Sequence, residues 1–185
     1  MLNFQKRIVI TGGPGSGKST LIDALTQRGY LCSVEAGRSI IQDQISIGGN
    51  ALPWGDRIAF SELMLCWEIR SWHAANGCHE LCFFDRGIPD VAGYLSLCRF
   101  PVPAHVEKAI NNFRYAGTVF IAPPWKEIYV QDSERKQSIE EAEQTYWTLS
   151  KTYQAYGYQL IEIPRIPADE RADFIISQVS QKDFQ

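Results

Sequence analysis

Eight consecutive residues, Gly12, Gly13, Pro14, Gly15, Ser16, Gly17, Lys18 and Ser19, carry the spacing G-x-x-x-x-G-K-[ST]. Glycines lack a Cβ, so the backbone there turns tightly and approaches an oxyanion closely. The N–H groups freed by such a turn point inward, and a helix starting near Lys18 adds the positive end of its dipole. Lys18 supplies a full charge to β and γ phosphates, and the Ser19 hydroxyl ligates magnesium. Thr20, next along the helix, is counted with the phosphate-contacting residues. The alternative is a glycine-rich turn with an incidental lysine. The flanks argue against it, because an apolar strand pattern precedes the run and a helical pattern follows it. The spacing predicts a P-loop that binds ATP with Mg2+.

Other residues extend this chemistry. Asp85 ends the apolar run Leu81-Cys82-Phe83-Phe84, which puts an acid at the carboxyl edge of a sheet, where open α/β sheets bind ligands. There it can hold magnesium; as a helix cap or surface acid it would do nothing catalytic. Asp85-Arg86-Gly87 resembles the Asp-Arg motif of nucleoside and nucleotide kinases, in which the arginine positions phosphate or the acceptor. Glu35, three residues before Arg38, ends a second strand pattern and could orient an acceptor hydroxyl or take its proton. An ordinary surface Glu–Arg pair is the competing reading. Arg135 and Lys136 lie in a polar stretch between a strand and a capped helix, where a lid arginine could neutralise charge on the transferring group. Such a charged stretch is also what a solvated loop looks like. Trp54, Trp125 and Arg165 offer flat faces for a base, with packing or solvent contact as the alternative for each. Arg165 follows the last strand, where this fold class often seats adenine.

These residues need a scaffold, and the pattern supplies one. Strand-like and helix-like segments alternate. The strands are expected over Arg7 to Thr11, Leu31 to Glu35, Leu81 to Asp85, Thr118 to Ile121 and Leu160 to Ile163. Helices are expected over Lys18 to Gln27 with Gly29 as its stop, from before Ile40 to Gly48, and from Arg57 to Ala75 with Asp56 as cap. Shorter ones should follow Pro89 and Pro103. Ser138-Ile139-Glu140-Glu141 has capping-box spacing and opens a helix toward Tyr156. Asp169 to Val179 is a last amphipathic helix. The fold class is therefore a three-layer α/β P-loop NTPase of nucleotide-kinase type. It has a five-stranded parallel sheet, helices on both faces, and a lid over about 125–140, all in one domain spanning 1–185.

Composition narrows the partners. Hydrophobic residues are 45% and charged residues 21% of 185, ordinary globular values, and the net charge of −3 gives no field to recruit nucleic acid. No apolar run is long enough for a signal core or membrane span, since Glu62 and Glu68 interrupt the stretch around Leu63-Met64-Leu65. A cytoplasmic location follows as an expectation. Cys32, Cys66, Cys78, Cys82 and Cys98 form no disulfide framework, and Cys78 and Cys82 lack a second pair at zinc-ribbon spacing. Reduced, mostly buried thiols are expected.

Taken together, RIVITGGPGSGKSTL, VEAGRSII, FFDRGIPDVAGYL, VFIAPPWKEIYVQDSERKQ and YGYQLIEIPRIPADERADFI resemble a family of bacterial predicted ATPases. That family groups with AAA-type ATPase-like proteins that include nicotinamide riboside kinase domains. The resemblance runs from Arg7 to Val179. It implies a P-loop kinase-like fold, ATP and magnesium binding, and roles for Lys18, Ser19, Asp85 and Arg135. The chain lacks the Asn-Lys-x-Asp guanine motif of GTPases, which favours ATP. Two functions are consistent with the residues: a kinase acting on a nucleoside-, nucleotide- or vitamin-like small-molecule acceptor, or a regulatory nucleotide-binding module or slow ATPase with a protein partner. A closed polar acceptor pocket would mark the first, and an exposed apolar patch the second.

Overall fold

The computed structural model describes residues 6–78, 80–128 and 138–182. Five parallel strands form one sheet in the order β2-β3-β1-β4-β5. They are β1 (Arg7–Gly12), β2 (Leu31–Cys32), β3 (Cys82–Asp85), β4 (Thr118–Ala122) and β5 (Gln159–Glu162). The helices are α1 (Lys18–Gln27), α2 (Ala36–Ile47), α3 (Arg57–Ala74), α4 (Ile88–Leu97), α5 (Ala104–Asn112), α6 (Ile139–Ala155) and α7 (Ala168–Lys182). Among the described residues, no helix is long and apolar enough to cross a membrane.

The layers follow from strand alternation, which sends successive side chains to opposite faces. Ile8, Ile10 and Phe83 pack on one face with Leu21 and Leu25 of α1 and Ala172 and Ile175 of α7. Val9 and Phe84 pack on the other face, with Phe60 and Met64 of α3, Val91 and Leu95 of α4, and Tyr153 of α6. The central strands β1 and β3 are buried along their whole length, which explains their continuous apolar reading.

Several caps appear where the residue types predict them. The Asp56 side chain accepts from the Ala59 N–H at 2.9 Å. Ser138 and Glu141 exchange bonds in a capping box, the Ser138 N–H donating to Glu141 Oε2 at 2.7 Å. Gly29, Gly48 and Gly157 take positive φ just past helix ends.

The second strand departs from expectation. It spans Leu31–Cys32 rather than reaching Glu35. As an edge strand it pairs only with β3, and the ladder stops once Ser33 has donated to the Phe83 carbonyl at 2.8 Å. The Asp85 N–H then takes the Ser33 hydroxyl at 3.0 Å instead of a backbone carbonyl. The chain leaves the sheet there, and Glu35 becomes the residue before α2. The cysteines differ as well: all are free, but only Cys82 is buried, whereas Cys66 is exposed.

Candidate phosphate and acceptor site

The loop between β1 and α1 sits at the carboxyl edge of the sheet, beside the point where the chain changes direction. From β1 it first runs outward to β2, returns to β3, and later crosses to β4. This is where open α/β sheets bind ligands. Gly17 precedes α1 with φ 75°, and a Cβ there would lie 2.9 Å from an Arg171 nitrogen. Gly12 has φ 136°, and a Cβ there would press to 2.5 Å against the Ala122 carbonyl oxygen. Both positions need glycine for conformation and space together. Ser16 Oγ closes the turn by donating to the Gly13 carbonyl at 2.8 Å.

Lys18 is buried, and its ammonium donates to the Gly12 and Gly13 carbonyls at 2.9 and 2.8 Å. Burial, with Arg86 adding to it, lowers its pKa to about 8, against the pull of Asp85. Ser19 and Thr20 are exposed on the first turn of α1. Asp85 ends β3 at 4% exposure, and its Oδ1 has no hydrogen-bond partner. Burial pushes its pKa up to about 6 even though Lys18 draws it down. The orphaned, buried carboxylate oxygen, close enough to Lys18 for the two charges to shift one another, is a donor of the kind a hard divalent cation takes. Of the two residues expected to hold magnesium, Asp85 presents this unpartnered oxygen and Ser19 an exposed hydroxyl on the first turn of α1.

Arg86 adopts a positive φ of 74°, unusual for a side chain with a Cβ. Its Nε donates to Glu35 Oε1 at 3.1 Å; one terminal nitrogen donates to the Gly12 carbonyl at 3.0 Å and to Asp90 Oδ1 at 3.2 Å. Burial works against the charge, but Glu35, Asp90 and Asp85 outweigh it and raise the pKa. Glu35 therefore faces Arg86 in a half-buried ion pair.

Asp90 is a residue the sequence reading missed. It also accepts from Thr11 Oγ1 at 2.6 Å, from the Tyr153 hydroxyl at 2.5 Å and from the Gly87 N–H at 3.0 Å. One carboxylate thus ties β1, α4 and α6 to Arg86. The available signal was an acid in the first turn of a helix, just after Pro89. Glu68 is a second missed group. It is buried on α3 with Oε1 unpartnered, and burial, reinforced by Asp90 and Asp85, pushes its pKa well up.

A cavity of about 410 Å³ opens beside the loop, lined by Pro14, Glu35, Arg38, Phe60, Arg86 and Tyr94 among others. Trp54, 57% exposed, also borders this cavity. A second cavity of about 420 Å³ lies between β2 and α3, lined by groups such as Val34, Trp67 and Phe83, and shares no residue with the phosphate loop.

On the opposite flank, Arg165 is exposed and donates through Nε to the Pro124 carbonyl at 3.1 Å. Trp125 lies under Arg171, 5.5 Å from ring centroid to guanidinium carbon. Arg135 and Lys136 lie outside the described residues. Arg171, unremarked in the sequence, reaches the loop from α7, donating to the Ser16 carbonyl at 3.2 Å. Only folding brings those two segments together.

A family model described as an AAA domain matches residues 7–171. No curated protein matches the sequence. Solved structures share the fold. Deoxyadenosine kinase from M. mycoides with products dCMP and dCDP bound has a TM-score of 0.69 at 14% identity, covering 95% of this chain and 99% of that one. NadR protein in complex with NR has a TM-score of 0.70 at 15% identity over 96% of this chain, which spans 50% of the NadR chain. Shikimate kinase from Acinetobacter baumannii in complex with shikimate has a TM-score of 0.57 at 16% identity, covering 97% and 95%. The five-stranded sheet and its surrounding helices are those of the P-loop nucleotide-kinase fold.

Proposed function

The chain belongs to this AAA-domain family, and on that premise we propose that it is an ATP- and magnesium-dependent phosphotransferase acting on a small molecule. The observation that carries the reading is the cavity beside the loop, whose wall shares Pro14, Glu35 and Arg86 with the phosphate site. Its 410 Å³ suits a metabolite-sized acceptor, and its wall mixes charged groups such as Glu35, Arg38 and Arg86 with apolar ones such as Phe60 and Met64.

In this reading the loop from Gly12 to Ser19, with Thr20, cradles the phosphates and Lys18 neutralises the β and γ groups. Magnesium held by Ser19 and Asp85 would add positive charge where the phosphoryl group leaves. Arg86, fixed by Glu35 and Asp90, orients the acceptor toward the γ-phosphate, and Glu35 holds the acceptor's attacking oxygen or its proton. Arg165 borders the base. Arg135, on the lid segment, meets charge that is larger in the transition state than in bound ATP.

The test is phosphoryl transfer from ATP to a panel of nucleosides, nucleotides and vitamin-like alcohols, with Arg135→Ala alongside. Transfer to one acceptor class, with kcat lowered far more than ATP affinity in the variant, is expected. ATP hydrolysis without transfer to any acceptor would favour the second reading, a regulatory nucleotide-binding module. That reading draws on exposed apolar groups around α2, with Val34 65%, Ile45 58% and Ile47 73% exposed.

A further inference from the structure

Arg171 is a buried cation whose own helix leaves it without a counter-charge. It is 3% exposed, and burial lowers its pKa. Asp169 and Asp173, the acids two positions to either side on α7, turn outward to Arg28 at 2.8 and 3.1 Å. Among the described residues no carboxylate pairs with Arg171. Its terminal nitrogens donate to the Ser16 carbonyl at 3.2 Å and, weakly, to Thr20 Oγ1 at 3.4 Å, and Nε has no partner. A guanidinium has five N–H donors, and a desolvated one without an anion is costly to the fold.

Position decides which anion would satisfy it. Arg86 lines the cavity beside the loop, and Lys18 and Asp85 interact electrostatically with it, which marks that side as the γ end of the phosphate chain. Arg171 lies against the opposite flank, touching Gly17 and Thr20 and stacked on Trp125. We infer that Arg171 binds the α-phosphate of the nucleotide, supplying there the charge that Lys18 supplies at the β and γ groups. Planar, fork-like donors suit a phosphate oxygen pair, and Trp125 holds the guanidinium plane in place. The inference rests on the nucleotide-binding reading above and adds a second anchor at the end remote from transfer.

The test compares the parent with Arg171→Met and Arg171→Lys by thermal melting without ligand and by calorimetry. The titrants are magnesium–ATP and magnesium–pyrophosphate, the latter one phosphate shorter and without the nucleoside that fixes a phosphate in the α position. Arg171→Met removes the charge and keeps much of the apolar contact. Its melting temperature should stay level or rise, while ATP affinity falls about ten- to a hundred-fold, the worth of charged hydrogen bonds. Pyrophosphate affinity should stay within about twofold, and Arg171→Lys should recover part of the ATP loss. If Arg171 merely braced the loop, Arg171→Met would melt earlier and weaken both titrants alike. That result, or ATP affinity within about threefold of the parent, overturns the inference. Failure of the parent itself to bind magnesium–ATP would instead remove the nucleotide-binding reading on which it stands.

Discussion

The two flanks of the phosphate loop each contain an arginine, one buried and one largely so, and they hold it in opposite ways. Arg86 faces two carboxylates, Glu35 and Asp90, and its charge is reinforced. Arg171 faces a carbonyl, a hydroxyl and an indole, and its charge is opposed by burial. The first arrangement is complete within the protein and so fixes geometry. The second leaves an electrostatic demand that an incoming anion meets. The acceptor side is thus preorganised, whereas the nucleotide side gains most from its ligand.

Changes on the acceptor side should have the largest effect on the fold itself. Arg86→Ala removes the cation shared by buried Asp90 and half-buried Glu35, and the cost should be about 3–5 kcal/mol by denaturant unfolding. A loss under about 1 kcal/mol would mean that the two carboxylates relax into solvent or protonate, and the comparison would fail. Lys18→Ala should leave stability nearly intact yet weaken magnesium–ATP binding about a hundredfold or more by calorimetry, because its ammonium donates to two carbonyls and a hydroxyl of the loop itself, contacts that phosphates would replace. Tight binding by that variant would take Lys18 out of the site.

Asp85→Asn separates the metal from the scaffold. The folded pKa of Asp85 is raised from 3.8 to about 6, so the anion opposes folding above that range. Replacing it should stabilise the ligand-free protein by about 1–3 kcal/mol while removing most of the magnesium dependence of nucleotide affinity. The same shifts set a pH window. Asp85 is charged above about 6 and Lys18 below about 8, so magnesium–ATP affinity should peak between them and fall on both sides. A flat profile from pH 5 to 9 would contradict those environments. The smallest effect is expected from Tyr153→Phe, which removes one of the donors to Asp90. Stability should drop by about 1–2 kcal/mol, with turnover changed only modestly, because Arg86 keeps Glu35.

The phosphate loop, Asp85 and the capped start of α6 were legible because each is a local pattern. A glycine run, an acid closing an apolar strand, and Ser138 three residues from Glu141 carry their physics within one segment. The second strand was read too long because its apolar pattern continues to Val34, while the ladder ends where the Ser33 side chain replaces a backbone acceptor. Asp90 looked like an ordinary first-turn acid, and nothing near it in the chain names Thr11 or Tyr153.

By itself, then, the sequence determined the fold class and the identity of the anion-binding loop. Alternation, caps and glycine spacing act over a few residues, where bond geometry and helix dipoles dominate. The tertiary structure alone decided that Arg86 would face Glu35 and Asp90, that the cavity would open beside Pro14, and that Arg171 would reach the loop from α7. Those contacts join segments as far as 155 positions apart, as in the bond from Arg171 to Ser16. Polar contact at such separation depends on which layer each helix covers, and burial of the whole core fixes that.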